Sequence, residues 1–347
     1  MGPTAIAVDV MGGDRAPGVV LDGALLAWRE AREVLPAERI VLVGDEERIA
    51  AGLAERGGDP GFGIVHAAEV IGMHEKPGQA LRAKPRSSIA LGVGAVKGAA
   101  AGAFVSMGNT GAVVGAATLG LGTLPGVRRP GIAVTLELTG SPVTILDMGA
   151  NVVPKPQHLV QYAVMGSAFL RDCHGVQEPR VGLLNIGEEA SKGTDLLRAA
   201  HELLETAPVD FVGNVEGSDL FRGSCDVLVT DGFTGNVALK LMEGLSGFML
   251  ELVLTTLGER SLELDRAGVD EIRRHIDYSE YGGALLLGVD GVVVIGHGRS
   301  DERAVANALS LAARALDVGV NQDIVRGLEG SLPAGVDDGG AGRASGP

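Results

Sequence analysis

The chain has 347 residues; 46% are apolar, 3% are aromatic and 54 are glycine. That apolar share excludes a disordered chain, and the glycines lack the three-residue period of collagen. A net charge of −15 makes the protein a poor general partner for nucleic acid, whose phosphates need a basic surface. At ~150 residues per domain the length fits one large domain or two, with core enough to need no disulfide or metal staple. Cys173 and Cys225 form no CxxC pair, so neither a disulfide framework nor a cysteine zinc site is expected. The start, MGPTAIAVDVMGG, lacks a basic n-region and a long apolar run. No stretch is long and apolar enough to span a bilayer, and the expected location is the cytoplasm.

In chain order, Thr4–Val10 reads as a strand and leads into the polar glycine turn Asp9-Val-Met-Gly-Gly-Asp14. A helix is predicted over Pro17–Arg32 and a strand over Ile40–Gly44. The segment 74–88, HEKPGQALRAKPRSS, sets Lys76, Arg82, Lys84 and Arg86 against one acid, Glu75. It faces either an acidic partner or only solvent. Apolar Ala103–Val105 ends in Ser106-Met-Gly-Asn-Thr-Gly111 and a small-residue helix, Ala112–Gly122. Glycine N–H groups and a helix N-terminus there suit phosphate, whereas an Asn/Thr cap without ligand is the plainer alternative. Arg128-Arg129-Pro130 is a second basic spot before the strands Ile132–Leu136 and Val143–Met148, the latter ending in Asp147-Met-Gly-Ala-Asn151.

A helix follows over Pro156–Arg171, then a strand over Val181–Ile186 and the loop Asn185–Thr194. Lys192 in that loop sits between glycine and a helix start. It is either a phosphate or carbonyl ligand or an exposed partner of Glu188 and Glu189. The helix Thr194–Glu205, the strand Asp226–Thr230 and the loop Asp231-Gly-Phe-Thr-Gly-Asn236 come next. Asn236–Leu257 carries apolar residues at helical spacing and little charge; it belongs in a core, a dimer interface or against a membrane. Val292–Ile295 leads to Gly296-His-Gly-Arg-Ser300, where His297 is either a site residue or a hydrogen-bonded turn, and then to the helix Glu302–Leu316. The tail 331–347 is expected to be disordered.

Near-continuous β-branched runs alternating with helices predict a mostly parallel, doubly wound sheet between helix layers. Ligands in such a sheet sit at strand carboxyl ends, where the polar glycine loops fall. No GxxxxGK[ST], GxGxxG, GxSxG or HExxH pattern occurs, so no nucleotide fingerprint, nucleophile elbow or zinc helix is expected.

Several motifs together carry a resemblance. They are AVDVMGGD (7–14), SMGNTGA (106–112), RRPGIA (128–133), LDMGAN (146–151), NIGEEASKG (185–193), GNVEG (213–217), VTDGFTGNVALK (229–240) and YGGALLLGVDGVVVIGHGRS (281–300). From about Ile6 to Leu316 the sequence resembles the bacterial phosphate acyltransferase family (PlsX, acyl-acyl carrier protein:phosphate acyltransferase). Departures are Leu285 in place of an expected proline and Val153-Pro154 after Asn151.

The resemblance implies transfer of a long-chain acyl group from acyl carrier protein to inorganic phosphate. The acyl phosphate would pass to a downstream membrane acyltransferase acting on glycerol-3-phosphate. It further implies a homodimer with a three-layer α/β/α fold similar to isocitrate dehydrogenase and phosphotransacetylase. One catalytic domain would span 1–330, with a helical dimer- or membrane-facing insertion near 236–280 and peripheral membrane contact. Phosphate is already a nucleophile near neutral pH and a thiolate leaves readily, so no covalent enzyme nucleophile is required; no cofactor is expected, and a metal held by Glu188 and Glu189 is the less favoured alternative to their acting as acid or base.

On that chemistry, Lys192, Asn236 and His297 are the catalytic candidates. Asp9, Gly12, Gly13, Asp14, Gly108, Asn109, Thr110, Gly111, Asn151, Asn185, Glu188, Asp231 and Thr234 are candidates for binding phosphate and substrate. Arg82, Lys84, Arg86, Arg128 and Arg129 are candidates for docking the acidic carrier. Three rivals remain: a phosphotransacetylase-like enzyme acting on acyl-coenzyme A, a metal- and NAD-dependent dehydrogenase, and a non-catalytic adaptor.

Overall fold

The computed structural model describes residues 4–138, 140–259 and 283–329. The strands are β1 (Ile6–Asp9), β2 (Ile40–Gly44), β3 (Gly63–His66), β4 (Ala103–Ser106), β5 (Gly131–Leu138), β6 (Ser141–Leu146), β7 (Arg180–Leu184), β8 (Asp210–Val215), β9 (Val227–Val229), β10 (Ala284–Leu287) and β11 (Val292–Ile295). They form one sheet in the order β3-β2-β1-β4-β11-β10-β5-β6-β9-β7-β8. The helices that frame the site are α1 (Gly18–Glu30), α2 (Glu46–Glu55), α3 (Pro77–Ala83), α4 (Ser88–Lys97), α5 (Thr110–Gly120), α6 (Pro156–His174), α7 (Asp195–Leu204), α8 (Gly232–Glu259), α9 (Glu302–Val318) and α10 (Val320–Leu328).

The central strands β1, β4 and β11 are apolar almost throughout and fully buried because both faces of the sheet are covered there. Alternate residues of one strand serve different cores. Ile6, Val8, Val105 and Val294 lie in the core shared with α1, α6 and α9. Ala7, Phe104 and Val293 lie in the core shared with α4 and α5. The result is the expected three-layer α/β/α arrangement. The strand and helix runs read from sequence correspond to elements here, with ends shifted by a few residues. β3, β8, β10, α2, α3, α4 and α10 lie outside those runs. Their segments are short or partly exposed, so periodicity marks them weakly. The C-terminal part of the expected 236–280 insertion and the tail 331–347 lie outside the described residues.

Pairing is parallel except at β11–β10, β10–β5 and β5–β6. After three reversals, β6, β9 and β7 run opposite to β1, β4 and β11. The carboxyl-end loops therefore fall at two edges of the sheet instead of one.

The C-terminal end of α6 carries a half-buried imidazole. His174 packs edge-on against Phe169 at 5.1 Å, and its buried Nε2 has no hydrogen-bond partner among the described residues. Burial, helped by Arg314, pushes its pKa from 6.5 down to about 4. The unfolded chain then takes up the proton first, so stability falls as pH drops below 6.5 and the loss is complete near 4. Each tenfold difference in proton affinity between the folded and unfolded chain is worth ~1.4 kcal/mol, so this residue alone costs about 3 kcal/mol at acid pH. Urea titrations across this range should show that component in the native protein and not in His174→Phe.

Candidate active site

The first loop group joins β1, β4 and β11. Asp9 is 1% exposed. Its Oδ1 accepts from the Met11 N–H at 3.1 Å and its Oδ2 from the Ser106 hydroxyl at 2.7 Å. The Gly108 N–H in turn donates to Ser106 Oγ at 3.0 Å. A Cβ on Gly12 would stand 2.4 Å from Asp9 Oδ2 and 2.8 Å from Gly108 N, so only glycine lets these loops touch. The Asp14 N–H donates to Gly298 O at 2.8 Å, and Arg15 donates to the carbonyls of Arg299 and Ser300. Burial pushes the Asp9 pKa up against the pull of its hydrogen bonds. Asp9 is thus the clasp between the loops, while Asp14 beside the half-buried Gly13 stays exposed.

Asn109 is spent in a similar way. Its amide donates to the carbonyls of Gly72, Met73 and Glu75, and its Oδ1 caps α5 at Ala112 N. Thr110 and Gly111 remain exposed on the first helical turn. Half-buried His297 accepts the Arg299 N–H on Nδ1 at 3.2 Å. Burial pushes its pKa down, Glu243 opposes this, and Lys240 and Arg299 add to it. The ring is therefore neutral near pH 7 with its proton on Nε2, a hydrogen-bond donor.

The second group joins β6, β9 and β7, whose ends are level: Leu146 pairs with Val229, and Val229 with Leu183. Asp147 is fully buried. Its Oδ1 accepts from the N–H groups of Ile132, Gly149 and Ala150, and its Oδ2 from that of Asn151 at 2.7 Å. The Asn151 amide donates to Pro130 O at 2.5 Å and to the Tyr162 hydroxyl at 2.7 Å. Asp231 accepts from the N–H groups of Phe233 and Thr234 and from the Thr234 hydroxyl, capping α8. Asn185 accepts from Ile186 N–H and donates to Lys192 O. Asn151, Asn185, Asp231 and Thr234 thus shape loops.

Asn236, Lys192 and Glu188, also expected at the site, are exposed. Exposed Asn236 lies on α8 against Gly149. Exposed Lys192 has its ammonium 4.0 Å from Glu189, an arrangement of little energetic weight. Glu188 is exposed beside it. Helix α8 links the two loop groups. Gly232 N–H donates to Asn151 O at 2.9 Å. Two turns on, Lys240 and Glu243, paired at 2.9 Å, are close enough to act electrostatically on His297. Lys240 closes the VTDGFTGNVALK motif, and that was the signal from which sequence reading could have taken it.

Of the docking candidates, Arg82, Arg86 and Arg129 are exposed and Arg128 is half-buried. Lys84 is committed to Glu75 at 2.5 Å and to Val70 O. Cys173 and Cys225 are buried, their thiols pushed up to about 12 by desolvation, so neither supplies a thiolate nucleophile. One face of α8 is exposed and apolar: Phe233, Val237, Leu241, Leu245, Phe248 and Leu252 are each 47–69% accessible. No described helix is long and apolar enough to cross a membrane.

The family model described as "Fatty acid synthesis protein" matches residues 4–323. The phosphate acyltransferase of Acidobacterium capsulatum is 44% identical over 328 residues, covering 92% of this chain and 96% of the relative. That of Anaeromyxobacter dehalogenans strain 2CP-C is 47% identical over 331 residues, covering 93% and 90%. Among solved structures, a phosphotransacetylase from Streptococcus pyogenes superimposes with a TM-score of 0.61 at 17% identity, covering 90% of this chain and 94% of that one. This last likeness concerns the fold.

Proposed function

The chain belongs to the fatty acid synthesis (PlsX) family and is a phosphate acyltransferase, and from that premise we propose that it moves a long-chain acyl group from acyl carrier protein to inorganic phosphate. A phosphate oxygen attacks the thioester carbonyl carbon, the C–S bond breaks, and the carrier thiolate leaves and takes a proton. Acyl phosphate is the product, chemically suited to a downstream acyltransferase acting on glycerol-3-phosphate.

One observation carries this reading. Most polar side chains at the strand ends are spent on holding loops, whereas Lys192 and Asn236 are exposed donors and half-buried His297, its Nδ1 taken by the Arg299 N–H, keeps an Nε2–H to donate. Donors and a cation suit phosphate and a developing oxyanion. Lys192 and the Gly108–Gly111 turn hold phosphate, Asn236 donates to the oxyanion, and His297 supplies the proton. Exposed Arg82, Arg86 and Arg129 meet the acidic carrier. The apolar face of α8 serves a homodimer that contacts the membrane peripherally.

Lys192→Ala should raise the Michaelis constant for phosphate and lower turnover, together about 100-fold in kcat/KM, the weight of one lost charged transition-state contact. Arg82→Glu with Arg86→Glu should raise the constant for the carrier alone, with less effect at high salt. Unchanged kinetics in either variant would remove those residues from the scheme. The phosphotransacetylase-like fold favours a second reading, with coenzyme A thioesters as donors, and parallel assays with both thioesters distinguish the two.

A further inference from the structure

The GNVEG motif at 213–217 has no part in the chemistry above. Its first three residues end β8, one of the two edge strands. The pairing of β7 with β8 slips there: Val181 faces Phe211, but Gly182 faces Gly213, leaving Val212 as a bulge. Gly213 sits at φ +100°, a conformation that favours glycine. Along a regular strand, residues 211 and 214 point to opposite faces; the bulge brings them to the same one. Both meet His201 of α7. The Phe211 ring lies edge-on at 5.1 Å, and Asn214 Oδ1 is 3.0 Å from His201 Nδ1.

The other end of the Asn214 amide fixes the directions. Nδ2 donates to Glu189 O at 2.9 Å, so Oδ1 accepts and His201 Nδ1 carries the proton. Glu189 O also accepts the Lys192 N–H at 3.0 Å. His201 and Asn214 are 8% and 6% exposed, whereas the Glu188–Lys192 surface they support is exposed. A buried, fully directed hydrogen-bond chain thus runs from α7 through β8 to the turn that carries Lys192.

We propose that His201 and Asn214 are positioning residues that fix the 186–193 loop and so place the Lys192 ammonium for phosphate. This rests on the role given to Lys192 above. His201 sets the orientation of the Asn214 amide, and the Gly213 bulge aims it.

The test uses the full chain, hydrogen exchange of the 186–193 segment, and kinetics with palmitoyl-acyl carrier protein and inorganic phosphate. Asn214→Ala and His201→Leu should speed exchange in this segment about tenfold, the scale of one lost buried hydrogen bond, with exchange in β1 and β4 unchanged. His201→Gln, which keeps a donor for Asn214, should stay near the native rate. Asn214→Ala should raise the Michaelis constant for phosphate in the native background and add nothing to Lys192→Ala. Unchanged exchange, or a full kinetic effect of Asn214→Ala on top of Lys192→Ala, would overturn the proposal. If exchange accelerates but Lys192→Ala leaves phosphate kinetics unchanged, the pair still holds the loop and it is the role of Lys192 that falls.

Discussion

Gly235→Ala is expected to remove about 99% of turnover while leaving a folded protein. A Cβ on Gly235 would stand 2.0 Å from the Asp147 carbonyl oxygen and 3.0 Å from Thr230 Cγ2. The first obstacle is backbone at the end of β6, pinned by the hydrogen bonds of the Asp147 turn, so it cannot swing aside. The first turn of α8 must move instead, by an ångström or more, and Asn236 is the next residue. Displacement of that size in a site that works by positioning costs about 100-fold in rate. Overpacking itself costs about 1–3 kcal/mol, which lowers the unfolding midpoint without preventing folding. Gly94→Ala is the matched control. That position is on an exposed face of α4, a Cβ there meets nothing within 4 Å, and both activity and fold should persist. Native turnover in Gly235→Ala would show that the junction of α8 with β6 does not place the reacting groups.

Asp147→Ala should carry the largest stability loss, about 4 kcal/mol or more, read from the urea midpoint. The side chain is fully buried and gathers four backbone N–H groups within five residues of chain and the neighbouring strand. Alanine leaves all four donors without that acceptor, the Ile132 N–H in a buried setting and the other three in a partly buried one, at about 1–3 kcal/mol for each that finds no substitute. Asp147→Asn keeps an oxygen for three of them and presents an amide donor to the Asn151 N–H. Its loss should be smaller, about 1–2 kcal/mol. If Asp147→Ala unfolds at the native midpoint, the carboxylate is not the structural centre of this turn.

Much of the layered fold can be read from sequence because burial on both faces leaves a direct mark. Ile40–Gly44 and Val292–Ile295 are apolar and mostly β-branched, and both are strands over those same bounds. Thr194 and Glu205, expected as the ends of a helix, are the caps of α7. Strand direction is less legible. The runs 132–136 and 143–148 have the composition of parallel strands, yet β5 pairs antiparallel with both neighbours. Nothing in a side chain buried on two faces records which way its neighbour runs.

The division of labour in the loops was also hidden. Asp9, Asn109, Asn151 and Asn185 occupy polar glycine turns, where a short side chain can either reach a ligand or satisfy its own backbone. In sequence the two uses look alike; in the structure all four are turned inward. Lys192 and Asn236 are exposed, and His297 is half-buried with its Nδ1 taken by the Arg299 N–H. His201 carried no local signal at all, because its role depends on Asn214, thirteen residues away across a β-bulge.

The central claim is attack by phosphate on a carrier-bound thioester. Release of free carrier thiol from palmitoyl-acyl carrier protein, followed with and without inorganic phosphate and with hydroxylamine to trap the acyl product, tests it most directly. Release that requires phosphate and yields a trapped hydroxamate is the expected result. Equal release without phosphate, or turnover of palmitoyl-coenzyme A with the carrier thioester left intact, would contradict it.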